Sequence, residues 1–359
     1  VPIYVVGLND GTIKEVSQPS EQALRALFQA KGALNPKSIK SVAFFYDKAK
    51  AQHARDQMLR FGRERAPRLP GEVRIEATNH CNAHCTFCPR DAMTRPKGFM
   101  AMPLFRKIVE ECVGLGIKRV ALHNYGESLL DKTLAEKVGL AKAVGIPEVG
   151  LITNGSLLDE ARATALLDAG LDTIDISLDA ARKETFEAAR VGLHWDEVTA
   201  NIRTLAALRK ARGATKPHLS LSFIYQGDVR DIALFVQEWR EVVDALRTSS
   251  MHNWARLPQR RGTVYYPCHR PWLTTTILWD GRVSLCCVDL DGQVVLGDLR
   301  TQTLAEVWNS LPYVEARRAH LVGTGPGICQ TCDLPVMDAP GWLDEMMGPL
   351  VLRWPLCLA

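Results

Sequence analysis

The stretch Glu72-Val-Arg-Ile-Glu76, followed closely by Cys81-Asn-Ala-His-Cys85-Thr-Phe-Cys88-Pro, decides how the rest of this chain is read. The alternation in its first part predicts a strand over residues 73–77. The C-x3-C-x2-C spacing after it presents three thiolates from one short wrapped loop at the strand's end. Thiolates are the ligands that iron–sulfur clusters select, and three of them leave one iron of a four-iron cluster open to a small molecule. Two other readings stand beside this one. His80 or His84 could complete a Cys3His zinc site, although zinc motifs usually draw their ligands as two separated pairs. The three thiols could also be buried and inert.

Outward from the triplet, short apolar strands alternate with amphipathic helices over residues 71–262. Strands are predicted at 73–77, 119–123, 148–153, 173–177, 219–224 and 244–248, with helices such as 103–114, 133–144 and 159–169 between them. Such alternation implies an α/β fold with a parallel sheet and crossover helices. An open doubly wound sheet would be expected to carry a glycine-rich nucleotide loop, and the sequence has none. Functional residues of such sheets sit at the C-terminal ends of the strands.

With Phe87 before its last cysteine, the triplet resembles the signature of radical S-adenosylmethionine (radical SAM) enzymes. The resemblance implies a partial (β/α)6 TIM-like barrel. It also implies that Cys81, Cys85 and Cys88 hold a [4Fe-4S] cluster whose open iron chelates the amino and carboxylate groups of SAM. Reductive cleavage of SAM would then give a 5′-deoxyadenosyl radical that removes a hydrogen atom from substrate. After the second strand, His123-Asn-Tyr-Gly126-Glu127-Ser is similar to the family's Gly-Gly-Glu motif, with Tyr125 at the first glycine and Ser128 at the usual proline. Gly126 and Glu127 are thereby implied to hold the SAM amino group. Asn154, in an Asn-Gly turn after the third strand, is a candidate SAM contact. In Asp175-Ile-Ser177-Leu-Asp179, alternation places Asp175, Ser177 and Asp179 on one face, and Ser177 is the residue the resemblance carries over to SAM. Arg190 resembles an arginine that pairs with the SAM carboxylate; a surface ion pair is the other reading.

A second set of cysteines lies beyond the barrel. Cys268 precedes a predicted hairpin turning at Asp280-Gly281, which leads into Cys286-Cys287, and Cys329-Gln-Thr-Cys332 follows. Four thiolates saturate either zinc or a cubane. In this chain the pattern resembles the SPASM/twitch extension of radical SAM enzymes, over residues 263–340, which implies an auxiliary [4Fe-4S] cluster on Cys268, Cys286, Cys329 and Cys332. Asp338 stands where the larger SPASM version has a further cysteine, so the shorter form with one auxiliary cluster is expected. Cys286 and Cys287 point to opposite faces of a strand. Spacing favours Cys286 as ligand and leaves Cys287 as a core thiol or hydrogen donor. Cys112 reads as core, and Cys357, in a tail over 341–359, is unplaced.

Composition narrows the classes. The chain has 359 residues, 47% hydrophobic, with a net charge of +4 and ten cysteines. No lysine/arginine block points to nucleic acid; the run from Arg256 to Arg261 reads as a solvated loop or an anion site. No apolar run approaches the ~20 residues of a membrane helix, and the cysteine usage suits thiols kept for metal in the cytoplasm. Residues 1–70 read as an α+β appendage, with strands at 3–7 and 12–16 turning at Asp10-Gly11. Further elements are expected at 20–30, 41–46 and 48–61, and Pro67 and Pro70 mark the boundary. The resulting expectation is a radical SAM oxidoreductase, a dehydrogenase or epimerase, acting on a small polyhydroxylated or amino-sugar-like substrate. A flavodoxin- or ferredoxin-type reductant would supply its electron. A maturase of ribosomally made peptides is the alternative enzyme, and a zinc-binding interaction scaffold the alternative outside enzymes.

Overall fold

The structure, a computed structural model, describes residues 4–7, 13–16, 69–225, 229–251, 253–255, 264–265, 268, 270–321, 325–332 and 336–337. The elements expected at 20–30, 41–46 and 48–61, the Arg256–Arg261 run, Asp338 and Cys357 lie outside these residues.

Six strands run parallel in the order of the chain: β3 (Glu72–Ile75), β5 (Arg119–Leu122), β6 (Glu148–Thr153), β7 (Thr173–Ser177), β9 (His218–Tyr225) and β10 (Ala245–Ser250). The helices α1 (Met102–Leu115), α2 (Leu134–Val144), α3 (Glu160–Asp168), α4 (Lys183–Ala189), α5 (Trp195–Ala211) and α6 (Val229–Trp239) make the crossovers. One strand face carries Val73, Ile75, Val120, Leu122, Val149, Leu151, Ile174, Ile176, Leu219 and Leu221, all buried in one hydrophobic core. The helices meet it with their own apolar faces, as α1 does with Phe105, Ile108, Val109 and Cys112. Asp159 starts α3 by accepting the Arg162 N–H at 2.8 Å, and Gly116 stops α1 in a left-handed turn (φ 75°) that glycine adopts without strain. The opposite strand face is polar yet buried, with Glu72, Arg74, Glu76, His123, Asp175 and Ser220. This is the partial barrel expected, with a polar interior.

The C-terminal hairpin, β12 (Thr274–Ile277) and β13 (Arg282–Ser284), turns at Asp280-Gly281 as expected and continues into β14 (Val295–Asp298). It does not form a sheet of its own. β12 pairs in parallel with β3, Thr276 opposite Arg74, so the barrel sheet runs unbroken into the second cysteine region. At the N-terminus, β1 (Tyr4–Gly7) and β2 (Ile13–Val16) form the expected antiparallel hairpin, which packs against α6.

One expectation from alternation fails. β7 ends at Ser177, and the N–H groups of Leu178 and Asp179 both bond the Ser222 carbonyl, at 3.0 and 3.1 Å. Asp179 then adopts φ 55°, so it leaves the strand and does not share the face of Asp175 and Ser177. Among the described residues no helix is long and apolar enough to cross a membrane.

Candidate active site

The triplet lies at the C-terminal end of β3. Cys85 belongs to a two-residue strand, β4 (His84–Cys85), paired antiparallel with β8 (Arg190–Val191), so that Cys85 faces Arg190 across the ladder. The three thiols are half-buried and form no disulfide. Burial pushes all three upward, Cys88 to about 11, and Cys88 also senses the charges of Cys85 and Cys81. Arg190 offsets part of this: its Nη1 stands 3.8 Å from the Cys85 sulfur, and its guanidinium lies 5.6 Å from the Phe87 ring centre. Arg190 is also ion-paired with Asp179, and both are buried. The reading of Arg190 as half of a surface pair is therefore corrected, because β8 carries it inward. Its Nε–H is buried without a hydrogen-bond partner.

Neither histidine weighed for zinc turns to the thiols. His84 is exposed and bonded to Asp91 at 2.9 Å, while His80 stacks on Phe99 with 4.8 Å between centroids. Among the described residues no three side chains gather as a single metal ion requires; a cubane binds each thiolate at a different iron.

The β5 loop closes onto the triplet. A Cβ on Gly126 (φ 106°) would lie 2.6 Å from the Thr78 carbonyl oxygen and 2.7 Å from that of His80, so only glycine lets the two loops meet. The Glu127 N–H bonds the His80 carbonyl at 2.7 Å. Its carboxylate is buried and accepts from Thr153 Oγ1 at 2.6 Å, the Leu129 N–H at 3.0 Å and the Asn154 N–H at 2.7 Å. Burial raises its pKa against these bonds. Asn154 in turn donates to Asn82 Oδ1 at 2.9 Å and accepts from the Ser156 N–H and hydroxyl. Asn82 lies between Cys81 and Cys85, so this network ties the cysteine loop to the ends of β5 and β6. Ser177 is half-buried at the end of β7.

In the second set, Cys286, Cys329 and Cys332 are buried and Cys268 is half-buried. Burial drives Cys329 strongly upward, and the charges of Cys286, Cys268 and Cys332 add to the shift, so these three thiols lie within electrostatic reach of Cys329. The Cys286 sulfur accepts the Val288 N–H at 3.4 Å, and the Cys329 sulfur lies 3.5 Å from His320 Nε2. Cys287 is half-buried and lies within electrostatic reach of Tyr125. Cys112 is fully buried on α1 among core side chains.

Three residues with roles in this geometry went unassigned from sequence. Tyr125 is buried, and its hydroxyl donates to the Val288 carbonyl at 3.2 Å. Burial raises its pKa well above the usual phenol value, and Cys287, Cys286 and Cys88 push it further; it therefore stands within electrostatic reach of both cysteine sets. His123 lines a polar crevice inside the barrel with Arg119, Asp175, Ser220 and Arg247. Burial, then Arg74 and Arg119, hold it well below the usual imidazole value, and its buried Nδ1 has no partner. The alternation Arg119-Val-Ala-Leu-His123 was the available signal for it. His320 carried no signal, since nothing local links it to Cys329.

Comparison with known proteins follows the same division. The radical SAM superfamily model matches residues 75–219, and the iron–sulfur cluster-binding SPASM domain model matches residues 268–333. The chain belongs to the radical SAM superfamily and carries a SPASM domain. The matched domains are those of proteins that hold [4Fe-4S] clusters and SAM. The S-adenosyl-L-methionine-dependent 2-deoxy-scyllo-inosamine dehydrogenase of Niallia circulans is 23% identical over 267 residues, 73% of this chain and 92% of that protein. A probable GTP 3′,8-cyclase of Methanothermobacter thermautotrophicus is 32% identical over 114 residues, 32% of this chain and 37% of the cyclase. The chain thus spans well under half the length of that cyclase. The structure of SuiB from Streptococcus suis bound to the precursor peptide SuiA overlays with a TM-score of 0.58 at 14% identity, covering 99% of this chain and 98% of SuiB.

Proposed function

We propose that this enzyme dehydrogenates a small polyhydroxylated or amino-sugar-like substrate. In this reading Cys81, Cys85 and Cys88 hold the SAM-binding cluster, and Cys268, Cys286, Cys329 and Cys332 hold one auxiliary cluster. With SAM bound, a cluster held by Cys81, Cys85 and Cys88 would supply the electron for its reductive cleavage. The chain's own residues fit that ligand. The orphaned Nε–H of Arg190 beside Cys85 is a donor that the SAM carboxylate would satisfy. The Gly126-Glu127 backbone, held against His80 by the Glu127–Thr153–Asn154 network, lines the loop assigned to its amino group. Ser177 and Asn154 edge the same strand ends.

The observation that carries the reaction class is Tyr125: its hydroxyl bonds the carbonyl of Val288, whose N–H bonds the Cys286 sulfur, while its neighbour Gly126 packs against His80 next to Cys81. Removing a hydrogen atom from a carbinol carbon, then the hydroxyl proton and one electron, gives a ketone, and that electron needs a nearby acceptor. The link from the β5 loop through Tyr125 and Val288 to Cys286 supports the second set as such an acceptor. Likeness to the inosamine dehydrogenase over most of that protein supports the substrate class. If the reaction were a redox-neutral epimerisation instead, half-buried Cys287 beside Tyr125 would be the candidate hydrogen donor.

The overlay with SuiB across nearly the whole chain favours a second reading, modification of a peptide, with residues 1–70 as the peptide-binding part. Product analysis with both substrate classes separates the two. For the site assignment, Cys85→Ala should abolish 5′-deoxyadenosine formation, while Cys329→Ala should keep it and lose product. Parental SAM cleavage by both variants would overturn the two-cluster assignment.

A further inference from the structure

The two cysteine sets differ in what touches their sulfurs. At the triplet, Cys81 and Cys88 take backbone hydrogen bonds from Ala83 and Arg90, and the side chain beside Cys85, Arg190 at 3.8 Å, is shared with Asp179. In the second set, Cys286 accepts a backbone N–H at 3.4 Å and Cys329 meets an imidazole nitrogen at 3.5 Å. His320 lies in the last turn of α9 (Leu311–Leu321), 1% exposed, with its ring against the edge of Trp272 at 6.3 Å between centroids. Trp272 is itself buried, so the contact between imidazole and sulfur is dry. A donor aimed at a cluster's sulfur in a water-poor site withdraws electron density from it and favours the reduced, more negative state.

We propose that His320 donates from Nε2 to the Cys329 sulfur and thereby raises the reduction potential of the auxiliary cluster, as a positioning residue acting through Cys329. The inference rests on the assignment of Cys268, Cys286, Cys329 and Cys332 to that cluster. It would give the second site the character that a one-electron acceptor needs: the cluster would take up the one electron leaving the substrate radical, with no bond made or broken at the metal. His320 is not a ligand in this scheme, because four thiolates already saturate a cubane.

The test is a redox titration of the anaerobically reconstituted enzyme followed by electron paramagnetic resonance, with added SAM marking the signal of its own cluster. His320→Phe should lower the potential of the other signal while iron per chain stays parental. His320→Gln, whose amide reaches the same place, should restore it. A parental potential in His320→Phe would overturn the proposal, and so would loss of that cluster's iron, which would make His320 a ligand or a structural support. Pulsed resonance on the parent enzyme with isotope-labelled histidine does not depend on either variant folding. A weak histidine nitrogen coupling at the auxiliary cluster supports the proposal; no coupling, or a strong one of ligand type, overturns it. A parent enzyme showing only the SAM-responsive signal would instead overturn the two-cluster assignment itself.

Discussion

Gly126 shows how a motif residue acts at this site. Its place in a Gly-Glu pair suggests contact with a ligand, yet its contacts are the carbonyls of Thr78 and His80 just ahead of the triplet. A methyl group there meets backbone, which cannot swing aside as a long side chain can. Gly126→Ala should therefore destabilise the fold by roughly 1–3 kcal/mol through backbone strain, read as a fall in the thermal midpoint, and should lower SAM cleavage as the loops part. An unchanged midpoint would show that the β5 loop does not bear on the cysteine loop as described. Glu127 carries a similar lesson. Its carboxylate is spent on Thr153, Leu129 and Asn154, so its influence on SAM runs through the loop it shapes. The sequence shows that an acid is present but not that three donors surround it, because those donors come from two other segments.

At the scale of elements, the joint between β3, the cysteine loop and the C-terminal hairpin matters most. Glu76, one residue past β3, accepts both guanidinium nitrogens of Arg95, at 2.5 and 2.7 Å, together with Asn124 Nδ2 at 3.1 Å and the Trp279 N–H at 3.2 Å. One buried carboxylate thus joins the strand before the triplet, the segment after it, the β5 loop and the hairpin turn. Glu76→Ala strands the buried Arg95 charge, which typically costs about 3–5 kcal/mol. The expected result is a large loss of thermal stability and of bound iron at both sites, measured by calorimetry and iron assay. A variant with parental stability would contradict this joint. The strands themselves were legible: 148–153 and 173–177 were read with their observed bounds, because apolar runs between turn residues mark buried parallel strands. The β4–β8 ladder, which sets Arg190 beside Cys85, was not legible. It is two residues long and pairs segments a hundred positions apart, and no periodicity reports such a contact. Asp179 escaped the alternation argument because the strand ends before it.

Over the whole molecule, the sheet continues from the barrel into the hairpin through the β3–β12 pairing, so one sheet leads into both cysteine regions. Sequence spacing singled out both sets, but the link from Tyr125 through Val288 to Cys286 is a property of the tertiary fold. The proposed oxidation would need the substrate to lie between a radical source and an electron acceptor. The most direct test is mass spectrometry after anaerobic turnover in deuterated solvent, with SAM, a reductant and a panel of aminocyclitols and peptides. The account predicts 5′-deoxyadenosine together with a small-molecule product lighter by two hydrogens and carrying no solvent deuterium. A product of unchanged formula with solvent deuterium at carbon, a modified peptide, or no 5′-deoxyadenosine at all would contradict it.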